Sequence, residues 1–347
     1  MDVLLHIGQW KTGTSYLQTV FSGNTETLKR HNILYPSCRK EKRNAERGLH
    51  VKPNVMSDTE VVKLTKYWLR RKDRPQNLFF SQENLFGLLT YDDSLLRELS
   101  ALGVNVKILC FTRCPVELLQ SCYAQVVKAL GYSGTFEEYV KALNYTMPLG
   151  HELDRLINSC DSLSIDISLY NYSQRKKETL SLAESFMQLE GGTLKKPQKI
   201  KTFNRTLTPD ELLISRMFNK YFGKESKKFF TMPLMNLTEI RAEKVIPKTD
   251  ILEKYIRNIN EEVEFFNKKY GQRFDQFERV NIENVSGTEM PEKCTLSPQQ
   301  VDAIALAMSS QLKIKRMKFL KRVKNSFARQ KPVFKLPKQH PFSQFDI

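Results

Sequence analysis

The sequence predicts an α/β protein in which a mainly parallel sheet is covered by helices, and two observations lead there. Apolar runs of strand length alternate along the chain with stretches of helical spacing, the pattern of right-handed strand–helix–strand crossovers. The sharpest of these units is the first: Val3, Leu4, Leu5 and Ile7 make a strand-length run that ends at Gly8, and a helical stretch opens near Thr14. Ligands of such sheets sit beyond the carboxyl ends of the strands, so each strand end is a place to look for function.

From Thr14 to Arg30 the apolar residues Tyr16, Leu17, Val20, Phe21 and Leu28 fit one helix packed on the first strand. Ile33-Leu34-Tyr35-Pro36 reads as a short second strand closed by proline. Residues 37–57 are polar and basic without a period and are expected as a loop, of a length that is usually functional or disordered. Asp58 to Arg71 is the next helix, with Ser57 placed to cap it, and Asn77-Leu-Phe-Phe-Ser81 the next buried strand. Asp92 to Leu102 is helical. Val104 to Thr112 is the best strand of the chain and stops at Arg113-Cys114-Pro115, where Pro115 can take the first position of a helix running to Leu130. Helices at 135–145 and 150–158, a strand from Leu163 to Tyr170 and a helix at 174–189 follow, and Gly191-Gly192 breaks the pattern. After a basic link, Thr208 is placed to cap a helix with Pro209 at its first position, and a helix at 251–270 ends the main domain, predicted over residues 1–270. Residues 271–347 carry a weak core signal and are expected as a helical, basic C-terminal extension.

Composition bounds the partners. The chain has 347 residues, 40% of them hydrophobic, which is enough to bury a good core. Its 55 Lys and Arg against 38 Asp and Glu give a net charge of +17, which suits an anionic partner. No run approaches the roughly 18 apolar residues of a membrane span, and the first residues lack a basic leader with a cleavage site, so a cytoplasmic protein is expected. Six cysteines without a CxxC pair read as buried free thiols, and five scattered histidines give no metal-ligand spacing, so no metal is expected. Residues 312–324, LKIKRMKFLKRVK, place Ile314, Met317, Leu320 and Val323 near one helical face among many cations. This segment is either a terminal helix laid on the core or a basic amphipathic helix for an anionic membrane surface, which would make the protein peripheral at the inner membrane surface.

The turn after the first strand gathers anions by its geometry. Backbone N–H groups at the helix start face the loop and the helix dipole adds partial positive charge. Lys11 brings a full charge there, and Thr12, Thr14 and Ser15 bring hydroxyls. A nucleoside-triphosphate loop is written GxxxxGK[ST], with Lys directly after the last Gly, whereas Lys11 precedes Gly13 by two. Lys11-Thr-Gly-Thr-Ser15 after a His-Ile-Gly strand end resembles the 5′-phosphosulfate loop of sulfotransferases that use 3′-phosphoadenylyl sulfate (PAPS). A second segment resembles the 3′-phosphate motif of the same family, with Arg113, Pro115 two on, Ser121 eight on and Tyr123 ten on. Its physical sense is an Arg fork at a strand end, a helix begun by Pro115 and a Ser121 hydroxyl about two turns in that can face the same phosphate.

The resemblance is to the bacterial-type, carbohydrate- and glycolipid-modifying sulfotransferases and covers about residues 1–270. It implies a P-loop NTPase-like three-layer fold, PAPS as donor and adenosine 3′,5′-bisphosphate (PAP) as product. The Arg-Lys-Gly…Gly stretch with which cytosolic-type members usually end is not found. By this resemblance Thr12, Gly13, Thr14 and Ser15 hold the 5′-phosphosulfate, Lys11 neutralises the bridging oxygen, and Arg113 and Ser121 grip the 3′-phosphate. Lys201, Asn204 and Arg205 are further cofactor contacts in the same sense. Transfer to a hydroxyl needs a base, and the resemblance points to Glu83 after the third strand, with His50 in the basic loop as its competitor. The other account of Glu83 is that it occupies the first turn of a short helix capped by Ser81. The acceptor expected is a glycan or glycolipid hydroxyl. The sequence also leaves open a nucleotide kinase with a variant phosphate loop, and a basic module for nucleic acid or a membrane surface, nucleic acid being the less expected partner.

Overall fold

The computed structural model describes residues 1–49, 51–197, 205–237, 239–240 and 243–311. Five strands form one sheet: Asp2–Gly8 (β1), Ile33–Leu34 (β2), Asn77–Ser81 (β3), Asn105–Thr112 (β4) and Asp166–Asn171 (β5). Their order is β2-β3-β1-β4-β5 and every pair is parallel. Strands covered on both faces must be apolar almost without a break, and β1 from Val3 to Ile7 and β4 from Ile108 to Phe111 are buried throughout. Two further short strands, Val245–Ile246 (β6) and Thr288–Glu289 (β7), pair in parallel apart from this sheet.

Alternation along β1 divides the layers. Val3, Leu5 and Ile7 join a core with Val61, Leu85, Leu96 and Leu153, from the helices Asp58–Leu69, Asn84–Tyr91, Ser94–Ala101 and Leu149–Ser162. Leu4 joins the opposite core with Leu17, Val20, Phe21 and Leu180, from the helices Thr14–Gly23 and Thr179–Phe186. Phe79 and Phe111 are fully buried in that second core, and truncating either to Ala would cost about 3–5 kcal/mol. A third core contains no strand of the five-stranded sheet. In it Val116, Leu119 and Tyr123 of the helix Pro115–Gln125 meet Leu212, Tyr255, Ile259 and Ile304, from the helices Pro209–Phe222, Thr249–Tyr270 and 298–311.

This topology positions the site. The chain leaves β1 toward β2 on one side and leaves β4 toward β5 on the other, so it parts at the carboxyl ends of β1 and β4, where open parallel sheets bind ligands. The register brings the strand ends level, with His6 opposite Ser81, Gly8 opposite Phe111 and Thr112 opposite Asn171. The residues that follow, from Gln9 to Gly13, Gln82 and Glu83, Arg113 and Tyr172, therefore emerge along one edge.

The α/β class and the parallel sheet are as expected, and β3 and the helix start at Pro115 fall where the sequence put them. Elsewhere the elements differ. Thr14 to Arg30 is two helices, Thr14–Gly23 and Thr25–Arg30, broken at Asn24. The Asn24 amide turns inward, donating to Val20 O and Lys195 O and accepting from Lys195 N. Residues 37–57 are not all loop, since Arg39–Glu46 is helical with only Ala45 buried, which leaves no apolar period to read. The strand expected from Leu163 starts at Asp166, because the preceding helix ends in a turn with Ser164 at φ 54 and Ile165 N donating to Cys160 O. The helix begun at Pro115 passes into a π-helical turn, Val126–Leu130, and the one expected at 174–189 is split into Tyr172–Arg175 and Thr179–Phe186. The expected extension is packed on the body as far as residue 311: Phe277 is buried in the first core and Ile304 in the third, and Gln300 Nε2 donates to the buried Glu211 carboxylate. Residues 312–324 lie outside the described residues. Among those described, no helix is long and apolar enough to cross a membrane.

Candidate active site

The turn after β1 is tied to the end of β4. Gln9 N donates to Phe111 O at 3.0 Å, and Gln9 Oε1 accepts from Arg113 N at 2.9 Å. Thr12 is fully buried and its hydroxyl donates to Gln9 O at 2.7 Å, which closes the turn. Lys11 (φ 67) and Gly13 (φ 79) both sit in the left-handed region, the conformation that gathers successive N–H groups into an anion-binding concavity. Among the described residues, no backbone N–H from Trp10 to Gly13 donates to a protein acceptor. The helix Thr14–Gly23 starts at this point and adds its N-terminal partial charge. A Cβ at Gly13 would stand 2.9 Å from the Tyr172 ring and would force a side chain into left-handed backbone, so glycine is required twice over.

This turn borders a cleft of about 610 Å³, within the roughly 300–1,000 Å³ usual for small-ligand sites. Trp10, Lys11, Gly13, Thr14 and Ser15 line it together with Glu83, Arg113, Glu117, Ser121, Gln125, Lys128 and Lys244. Lys11 Nζ donates to Gln125 Oε1 at 3.0 Å rather than to a carboxylate. Burial lowers its pKa, opposed by the nearby Glu83 carboxylate and abetted by Arg113.

The Arg113 guanidinium spans two partners, with Nη1 donating to Lys11 O at 3.1 Å and Nε to Glu117 Oε2 at 3.0 Å, and it lies 5.9 Å from the centre of the Tyr172 ring. Burial alone would raise the Glu117 carboxyl, but the hydrogen bonds and charges of Arg113 and Lys244 outweigh it and hold its pKa at about 2. Glu117 therefore stays ionised and fixes the fork of Arg113 beside the Lys11 turn.

Glu83 directly precedes the helix Asn84–Tyr91, and its Oε2 accepts from the Thr14 hydroxyl at 3.0 Å. Ser81 does not cap that helix. Its hydroxyl pairs instead with His6 Nδ1 at 2.8 Å, and burial pushes the His6 pKa down to about 3, so the imidazole is neutral. The Cys122 thiol at the cleft is pushed up to about 11 by burial and is no nucleophile.

The cleft thus brings together Lys11, Gly13, Thr14, Ser15, Glu83, Arg113 and Ser121 from the expected set. Thr12 does not line it: the residue is fully buried and its hydroxyl is turned inward to Gln9 O. Arg205 does not line it: the guanidinium is bound to the fully buried Glu211 (Nη1 to Oε2 2.7 Å) and to Leu234 O, while its neighbours Thr206 and Leu207 reach the cleft. The buried carboxylate claims the cation, as burial of an ion pair requires. His50, Lys201 and Asn204 lie outside the described residues.

Several cleft residues were not among those expected. Gln125 and Lys128 follow Ser121 at helical spacing, a signal that could have found them. Trp10 adjoins the loop and is 46% exposed at the cleft. Lys244, at the cleft, and Tyr172, which packs beside Gly13 and Arg113 rather than lining it, come from distant segments and carry no local signal. Lys128 is only 8% exposed, and burial, with the charges of Lys11 and Lys227, pulls its pKa down to about 8. Unengaged N–H groups and a cluster of cations in one cleft are the donor set that a polyanion requires. Set against known proteins, the chain matches no family model and no curated protein.

Proposed function

We propose that this chain is a PAPS-dependent sulfotransferase acting on a hydroxyl of a glycan or glycolipid. One observation carries the proposal: the Lys11 turn and the Arg113–Ser121 segment, the two stretches that resemble the donor motifs, border one cleft, with the Arg113 guanidinium bonded to the Lys11 carbonyl. When bound, PAPS supplies an activated sulfuryl group, whose sulfur gains a bond to the acceptor oxygen as its bond to the 5′-phosphate oxygen breaks, leaving PAP.

The chain's own residues divide the remaining work. The N–H groups of the turn from Trp10 to Gly13, with the Ser15 hydroxyl, hold the phosphosulfate end, and Lys11 neutralises charge on the departing oxygen. Arg113, fixed by Glu117, and Ser121 hold the 3′-phosphate. Glu83 takes the acceptor proton, the Thr14 hydroxyl keeping its carboxylate beside the turn. This is positioning and charge stabilisation in the manner of phosphoryl transfer. The charge of +17 suits an anionic glycan, or a membrane glycolipid reached by a cytoplasmic protein at the inner surface.

The test is transfer of labelled sulfate from PAPS to a panel of glycans and glycolipids by the wild type and by Glu83→Gln. The expected result is transfer by the wild type and a loss in kcat of about 10²–10⁴ in Glu83→Gln, with PAP affinity within twofold. Unchanged kcat in Glu83→Gln would remove Glu83 as the base. A wild type that transfers no sulfate and binds PAP no better than ADP would remove the function itself.

A further inference from the structure

Lys128 is largely buried, and its ammonium opens on the cleft without a partner among the described residues. The residue is 8% exposed, and among the described residues nothing accepts a hydrogen bond from its ammonium. The charges that act on it, Lys11 and Lys227, are both positive. A partly desolvated ammonium beside two other cations is relieved when a negative charge arrives from outside.

Its position is firmly built. Lys128 sits on the π-helical turn Val126–Leu130, a rare geometry concentrated at functional sites. Asn219 Nδ2 clamps that turn from the neighbouring helix, donating to Val127 O and Tyr132 O, each at 2.9 Å. The turn closes at Gly131 (φ 78), where a Cβ would come within 2.6 Å of the backbone of Gly223 and Lys224. A second π-helical turn, Lys227–Thr231, packs against it and carries Lys227.

The order of residues along this helix says which ligand Lys128 serves. Ser121 comes first, on the side given to the 3′-phosphate. Gln125 comes next and is bonded to Lys11, which marks the reacting end of the donor. Lys128 lies a further turn on, away from Ser121 by seven positions or about 10 Å. The donor phosphates have the turn from Trp10 to Gly13, Arg113 and Ser121, so a cation beyond Lys11 faces what the donor reacts with. Trp10 and Leu130, both half-exposed at the same cleft, add apolar surface suited to the face of a ring.

We propose that Lys128 anchors an acidic group on the acceptor, so that the hydroxyl sulfated belongs to an acidic saccharide. The proposal rests on the sulfotransferase reading of the same cleft. Lys128 is then a specificity-determining residue, and neutral saccharides of the same shape are poor ligands because they cover its ammonium without pairing it.

The experiment is calorimetry at pH 7, with and without saturating PAP, using a tetrasaccharide of alternating glucuronate and N-acetylglucosamine and its carboxyl-reduced counterpart. The wild type should bind the acidic form at least tenfold more tightly than the reduced one. Lys128→Met, which keeps the aliphatic stem, and Lys128→Gln should erase that preference while PAP affinity stays within twofold. Lys268→Met, a control at an exposed lysine of the helix Thr249–Tyr270, should retain the preference and so separate Lys128 from the general charge of the surface. Equal or absent binding of the two tetrasaccharides by the wild type, or a preference that survives in Lys128→Met, would overturn the proposal. A tenfold loss of PAP affinity in both variants would also overturn it, by giving Lys128 to the donor. PAP affinity no better than ADP in the wild type would sink the sulfotransferase reading instead, and the tetrasaccharide titration without PAP reports on Lys128 separately.

Discussion

Gly13 and Lys128 each accept a local penalty that the cleft explains. At Gly13 the penalty is conformational, because only glycine occupies φ 79 without strain while the Tyr172 ring stands against its Cα. Gly13→Ala should destabilise the fold by about 1–3 kcal/mol and weaken PAP binding at least tenfold, read by thermal melting and calorimetry. A variant with wild-type Tm and PAP affinity would show that the turn does not depend on this conformation.

At Lys128 the penalty is electrostatic, and its sign can be worked out. The pKa falls from 10.5 to about 8 on folding, so between those two pH values the unfolded chain binds more protons. The contribution of Lys128 to the stability of the ligand-free protein should therefore rise as pH increases through that window, its penalty being present in full below pH 8. Lys128→Met removes the charge and should stabilise the free protein at pH 7, by no more than about 3 kcal/mol, with the difference shrinking toward pH 10.5. Denaturant midpoints of the two proteins at both pH values measure this. A variant less stable than the wild type at pH 7 would mean that the ammonium has a partner in the fold.

Among the elements, the π-helical turn Val126–Leu130 depends most on a single distant side chain. Asn219→Ala leaves the carbonyls of Val127 and Tyr132 unpaired and should cost about 1–3 kcal/mol. Because the turn carries Lys128 and not the donor contacts, tetrasaccharide selectivity should fall by tenfold or more while PAP affinity changes less than threefold. Loss of both together would show that the turn supports the whole cleft. Such a turn could not be read from the sequence, since residues 115–130 keep one continuous helical spacing and the change of hydrogen-bond step is imposed by Asn219 and by packing at Gly131. The break at Asn24 was hidden for the same reason: its amide answers to Lys195, far along the chain. The helix Arg39–Glu46 was hidden by composition, because a segment that buries only Ala45 has no apolar face. Elements with local chemistry were legible. Ser57 accepts from Glu60 N, Thr208 and Glu211 form a reciprocal cap, and Pro115 and Pro209 stand at the first turn of their helices, all where the sequence put them.

At the scale of the whole molecule, the parallel register makes a site of residues that are remote in sequence. The run of strands and helices and the Gly8 and Thr112 strand ends could be read in advance, and with them Lys11, Arg113 and Ser121. Glu83 follows from the register of β1 with β3, which sets Ser81 beside His6 and so brings the next residues up to Thr14. Tyr172, Lys244 and Glu117 acquire their roles only through the fold, by stacking over Arg113 and by holding its fork in place. The boundary expected at residue 270 was read from composition, and beyond it Phe277 and Ile304 are buried in two different cores. Arg205 shows the reverse error, a basic residue near a cleft whose partner is the buried Glu211 on the next helix.

The central claim is that one doubly phosphorylated adenosine ligand bridges the Lys11 turn and Arg113. Calorimetry with PAP and with ADP, on the wild type and on Arg113→Ala, tests it most directly. PAP should bind the wild type at least tenfold more tightly than ADP, and Arg113→Ala should bring PAP down to the level of ADP, a loss of about 1.5–3 kcal/mol for a charge-assisted contact. Equal affinities for PAP and ADP in the wild type, or a PAP preference untouched in Arg113→Ala, would contradict it.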